Sequence, residues 1–239
     1  GQGVSVATID KELRVVKAMF GFLRREEKLA AIPVFPTLKV PRRLVSILSY
    51  GDETTLLNAS LTCAQRAIIL LALDAGLRAD EIRHLRHEDI TWEGSVLRVG
   101  GCVVSVGTLV YTHETKTYTD RLVPLTARLK VALRRQADAA GAKGAYPGWI
   151  FPGQEAMPLS YDRLRHLVFL AYRAAQVATG PRQGLHLLRR TFASKLLGAG
   201  VDIQTVKELG GWSDLASLQR YLASTPGRKR DAIALLEIA

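Results

Sequence analysis

Apolar positions recur at three- and four-residue steps along most of this chain, and one stretch near its middle breaks the rule. Ile9, Leu13, Val16, Met19, Phe20 and Leu23 predict an amphipathic helix over about 7–29, with Thr8 or Asp10 as its candidate cap. Pro33, Pro36 and Pro41 then interrupt the pattern and lead to the basic pair Arg42–Arg43, the best linker candidate in the sequence. Helical spacing resumes at about 53–59 and 62–75, where Gly76 ends it, and a short helix over about 79–86 starts near Ala79–Asp80. Further helices are predicted at about 127–140, 161–178, 186–198, 202–209, 214–223 and 228–238.

Residues 89–125 have a different character. Short β-branched runs, Ser95 to Val99, Val103 to Val106, Leu109 to His113 and Arg121 to Pro124, are separated by Gly94, Gly100–Gly101, Gly107 and the polar turn Glu114–Asp120. This spacing predicts one small antiparallel sheet with hairpins. The fold class is therefore α+β, mainly α. A lone helix cannot bury its own apolar stripe. Residues 1–30 are accordingly expected to be the tail of a domain whose earlier part is missing, or an arm that docks elsewhere.

Charge narrows the function. Among 239 residues, 33 Lys+Arg face 22 Asp+Glu, a formal net charge of +11. A folded, basic domain of this kind favours nucleic acid as partner, because neutralising phosphates releases condensed counterions. With 48% hydrophobic residues, disorder is excluded as the main state. No apolar run of membrane-spanning length occurs, and no signal peptide is visible. Cys63 and Cys102 make neither a disulfide framework nor a zinc site, which fits a reducing compartment. There is no Gly-x4-Gly-Lys-Ser/Thr loop for a nucleotide.

Four clusters carry candidate chemistry. His186 and Arg189, three residues apart, share one face of a predicted helix in its first turn, where unpaired N–H groups and the dipole favour an anion. Arg78 follows the Gly76 break, with Glu81 three residues on to hold its guanidinium plane. Lys116 sits near a predicted hairpin tip. Trp212 follows Gly210–Gly211, and Tyr221 lies nine residues beyond it. Each cluster alone is more simply structural: a basic helix, a capping ion pair, a solvated lysine, a packing indole. The acidic pairs Asp80–Glu81 and Glu88–Asp89 could hold Mg2+, but capping helices and pairing with arginines is simpler.

Order and spacing change that balance. The segments GLRADEI, TKTYTDRLVPL, HLLRRTFASKLL and ELGGWSDLASLQRY run in the order Arg, Lys, His-x-x-Arg, Trp, Tyr, and the chain resembles the tyrosine recombinase (phage integrase) family over about 41–225. The resemblance implies a core-binding-domain helix remnant at 1–35, a linker at 36–44, the catalytic domain at 45–225, and a C-terminal tail helix at 226–239. It implies a site-specific recombinase serving a mobile element, cleaving and rejoining DNA through a 3′-phosphotyrosyl link.

In that reading Arg78 and Arg189 clamp the scissile phosphate, Tyr221 is the nucleophile, and Lys116 protonates the leaving 5′-oxygen. His186 assists proton transfer, and Glu81 orients Arg78. Trp212 stands where most members have His. An indole donates one hydrogen bond but carries no proton, so its role is binding and packing. No cofactor, ATP or metal is expected. The partners implied are double-stranded DNA, three further copies in a homotetramer, and accessory DNA-bending or directionality proteins, with no membrane. The location implied is cytoplasmic, nucleoid-associated, in a bacterial or phage-encoded setting. Two other readings are a type IB topoisomerase and a DNA-binding module without cleavage activity.

Overall fold

The computed structural model describes residues 4–40, 46–106, 109–114, 120–141, 148–155, 157–178 and 184–222. They divide into two units, 1–44 and 45–239. In the first, α1 (Val6–Arg25) is capped by Ser5, whose hydroxyl accepts from the Thr8 amide at 3.2 Å, so the cap is neither Thr8 nor Asp10. The helix stops short of residue 29 because Glu27 takes a positive φ of 57°. Lys28 and Glu27 then donate back to the carbonyls of Leu23 and Arg24, closing the end as a Schellman turn. Phe35 returns against α1, its ring 5.6 Å from that of Phe20.

The second unit is built around α3 (Cys63–Asp74), buried from Ala67 to Leu73. Its start is set by a reciprocal capping box between Thr62 and Gln65, and its stop by Gly76 at φ 63°. A Cβ at Gly76 would lie 2.5 Å from the Phe192 ring, so glycine is required there by space as well as by conformation. Around α3 pack α5 (Ala127–Gly141), α6 (Tyr161–Ala174) and α7 (Gly184–Gly198), and α2 (Tyr50–Asn58) packs on α6. The buried Glu53 carboxylate joins α2 to α7 through Lys195 at 2.8 Å. The short α4 (Ala79–Arg83) and a single 3-10 turn (His87–Asp89) follow α3. After α7 come α8 (Ile203–Gly210) and α9 (Ala216–Leu222). The predicted helix at 228–238 lies outside the described residues.

The predicted single sheet is two. β1 (Ile90–Thr91), β2 (Val96–Val99) and β5 (Arg121–Pro124) form one antiparallel sheet in the order β1-β2-β5. β3 (Cys102–Val106) and β4 (Leu109–His113) form a separate hairpin, with Cys102 opposite His113. The cause is the Gly100–Gly101 break. A Cβ on Gly100 would lie 2.3 Å from the Asp120 carboxylate and one on Gly101 2.9 Å from the His113 carbonyl, so the chain turns where only glycine fits.

Candidate active site

The Gly76 break sets Arg78 at the N-cap of α4, where its own amide donates to Glu81 Oε2 at 2.8 Å. The same guanidinium donates to Glu81 Oε1 at 2.8 Å and to the Gly211 carbonyl. Glu81 also receives both terminal nitrogens of Arg121, at 3.0 and 2.8 Å, and Arg121 Nε donates to the Leu209 carbonyl at 2.9 Å. One buried carboxylate thus ties α4, β5 and the α8 terminus into a frame. Burial alone would raise the Glu81 carboxyl, but hydrogen bonding and charge from Arg121, with the Arg78 amide and the Arg189 charge, hold it at about 2.

Arg189 stands in the second turn of α7, not the first, because the helix already runs from Gly184. It is buried, at 6% exposure, and donates to the Gly76 carbonyl. Its guanidinium lies over the Trp212 ring, 3.9 Å from the centroid. Its Nη2 has no hydrogen-bond partner among the described residues. Burial pushes the guanidinium down to about 9; Arg78 and Arg121 add to that, while Glu81 and Tyr221 oppose it. His186 is exposed in the first turn of α7, and desolvation followed by Arg190, Arg189 and Arg78 lowers its pKa from the ordinary imidazole value.

The double glycine is explained by its neighbours. A Cβ on Gly210 would collide with the Trp212 ring, and Gly211, at φ 65°, packs against the Arg121 guanidinium. The turn lays the Trp212 indole against Arg189 and against Tyr221, whose ring is 6.3 Å away at 64°. Tyr221 and Trp212 pack on a small apolar cluster of Ala193, Leu197, Val206 and Leu218. The Asp214 carboxylate accepts from the Ser217 amide at 2.7 Å, setting the start of α9, the helix of Tyr221.

Arg78, Glu81, His186, Arg189, Trp212 and Tyr221 are therefore brought to one region, and Lys116 lies outside the described residues. Sequence reasoning missed Arg121. Its signal was the inverted alternation of β5, where Arg121 turns inward at 10% side-chain exposure and Leu122 outward at 66%. The acidic residues considered for Mg2+ are paired with arginine: Asp80 with Arg83, Glu88 with Arg86, Asp89 with Arg98, and Glu81 as above.

Two guanidinium groups, of Arg78 and Arg121, converge here on the Glu81 carboxylate, with the buried Arg189 guanidinium nearby, and the chemistry of such a region is that of an anion site. Comparison with known proteins agrees with that class. A model described as the phage integrase family matches residues 42–228, and the chain belongs to this family. It is similar to tyrosine recombinase XerC of Xanthomonas campestris pv. campestris, with 28% identity over 233 residues, 92% of this chain and 65% of the relative. This chain thus spans about two thirds of that curated relative's length.

Among solved structures it shares the fold of the Tn1549 transposon integrase in complex with a circular intermediate DNA, with a TM-score of 0.76 and 22% identity over 98% of this chain and 80% of that one. It also shares the fold of the XerH site-specific recombinase bound to palindromic difH substrate in a post-cleavage complex. That match has a TM-score of 0.73 and 20% identity, covering 98% of this chain and 69% of that one. No helix among the described residues is long and apolar enough to cross a membrane.

Proposed function

We propose that this protein is a site-specific DNA recombinase that cuts and rejoins strands through Tyr221. The observation that carries the reading is Arg189: a buried guanidinium, crowded by like charges, with one donor nitrogen unfilled among the described residues. An anion between Arg189 and Arg78 relieves that state, and a phosphodiester gaining charge during attack relieves it further. Arg78 and Arg189 take the non-bridging oxygens. Tyr221 Oη attacks phosphorus, forming a 3′-phosphotyrosyl bond as the bond to the 5′-oxygen breaks. Lys116 delivers the proton to that oxygen. His186 accepts or relays the tyrosine proton, its lowered pKa keeping the imidazole neutral near pH 7. Glu81 holds Arg78 and Arg121 in plane, and Trp212 covers Arg189 and donates its indole N–H to phosphate.

The phosphotyrosyl bond keeps the free energy of the broken phosphodiester, so rejoining draws on neither ATP nor a metal. The wider assignments follow the same reading: double-stranded DNA as substrate, four copies on two synapsed duplexes, accessory DNA-bending or directionality proteins, and a cytoplasmic place at the nucleoid. Residues 1–35 act as the last helix of a core-binding domain, 36–44 as linker, 45–225 as catalytic domain, and 226–239 as tail. The fold shared with the Tn1549 transposon integrase, held there in complex with a circular intermediate DNA, supports a role in moving a mobile element.

The test uses two labelled duplexes from the DNA flanking the coding sequence, together with a supercoiled plasmid. Strand exchange between the duplexes is the expected result. Relaxation of the plasmid without exchange would establish a type IB topoisomerase instead, and binding without cleavage a DNA-binding module.

A further inference from the structure

The β3–β4 hairpin is held to the Arg78–Glu81 frame by a cluster that the catalytic reading does not use. His84 closes the C-terminal end of α4, three residues after Glu81. Its Nδ1 bonds the Asp80 carbonyl at 2.6 Å, and its Nε2 bonds the Tyr111 hydroxyl across to β4. The His113 ring, also from β4, stacks on His84 with centroids 3.7 Å apart and planes within 12°. The Trp149 ring meets both His84 and Tyr111 edge-on, at 6.1 and 6.2 Å, closing the cluster from a third side. Burial lowers the pKa of both imidazoles from the ordinary value, so the rings stack uncharged near neutral pH.

Two alternating β4 side chains, Tyr111 and His113, grip the C-cap residue of α4, and Lys116 follows His113 by three residues in the sequence. The far end of that connection is tied as well. Asp120 pairs with Arg98 at 2.9 Å and fills the space beside Gly100, and the next residue, Arg121, is bound to Glu81. His113 on one side of that connection and Arg121 on the other are thus both bound to the helix that presents Arg78, at its C-cap His84 and at Glu81.

We propose that His84, Tyr111 and His113 are positioning residues for leaving-group protonation: they dock β4 on α4 and so fix the origin of the segment that carries Lys116 relative to the phosphate-binding arginines. This rests on Lys116 acting as the general acid, as proposed above. Docking of this kind supports proton delivery to the 5′-oxygen and leaves the attack by Tyr221 untouched. An acid displaced by about 1 Å loses much of its advantage, which general acids supply at about 10^2–10^4-fold.

The experiment compares two nicked duplexes, one with oxygen and one with sulfur at the 5′-bridging position of the scissile phosphate, because a thiolate leaves without a proton. The full chain, Lys116→Ala, His113→Ala and Tyr111→Phe are assayed for the rate of covalent adduct formation. For His113→Ala we expect cleavage of the oxygen duplex slowed about tenfold, with the sulfur duplex cut within about twofold of the parent rate. Tyr111→Phe keeps ring and volume and shows the same selective loss to a smaller degree, at an unchanged unfolding midpoint, which guards against a variant that fails to fold. Equal losses of Tyr111→Phe on both duplexes, or no loss on either, would overturn the inference. If Lys116→Ala itself were slowed equally on both, the general-acid assignment would fail. Rescue of Lys116→Ala by sulfur without rescue of His113→Ala and Tyr111→Phe would sink the positioning role alone.

Discussion

The Arg189 guanidinium lies 3.9 Å from the centroid of the Trp212 ring, and the Tyr221 ring packs on the same indole with centroids 6.3 Å apart. Trp212 is thus the contact between the residue proposed to bind phosphate and the one proposed to attack it. A cation over an indole contributes about 2 kcal/mol when desolvated.

Removing that ring is costly. Trp212→Ala is expected to slow adduct formation at least about tenfold, since each ~1.4 kcal/mol of lost transition-state stabilisation is a factor of ten. Trp212→His keeps a flat ring with a donor and is expected to retain most of the rate. Single-turnover cleavage of a nicked duplex measures both, and an alanine variant as fast as the parent would contradict the role given to the indole.

Glu81 predicts an acid limit to stability. Its carboxyl ionises at about 2 in the fold against 4.5 ordinarily, so its contribution is fully present above pH 4.5 and is lost as pH falls from 4.5 to about 2. The amount at stake is about 3 kcal/mol. Glu81→Gln is expected to lower stability at pH 7 by about 3 kcal/mol, because two half-buried arginines lose their counter-charge, and to flatten this part of the pH curve. Denaturant unfolding from pH 7 to 3 checks both.

His84 predicts a separate window. Its imidazole is held to about 4 in the fold against 6.5 ordinarily. Between those values the unfolded chain binds a proton there that the folded chain does not, so stability falls as pH falls from 6.5 to about 4. His113, shifted the same way, acts in the same sense. The loss from His84 is about 3 kcal/mol at the bottom of the window. His84→Asn is expected to weaken the slope of unfolding free energy against pH above 4.5, where Glu81 is still silent.

Much of the fold could be read directly because it is local. α3 has a continuous apolar body, a Thr62 cap and the Gly76 stop, and its bounds differ from the expectation by a single residue at each end. The strands were readable from β-branched runs, but their pairing was not. Gly100 and Gly101 mark a turn between two sheets only once Asp120 and the His113 carbonyl are seen beside them. Trp149, Ile150 and Phe151 are nearly fully buried yet belong to no regular element; they are placed by bonds such as Ile150 N–H to the Leu85 carbonyl, which no periodicity announces. The candidate site residues stand in the sequence as an ordered set, while the Arg121–Glu81 pair and the His84–His113 stack join positions far apart in the chain and emerge only when it folds.

The most direct test of the central claim is the chemical identity of the protein–DNA link. The chain and a Tyr221→Phe control are incubated with nicked duplexes from the DNA flanking its coding sequence, denatured, and the adduct digested and mapped. A denaturant-resistant adduct on Tyr221 that the control lacks is the expected result. An adduct on any other of the seven tyrosines, or one that survives in the control, would contradict it.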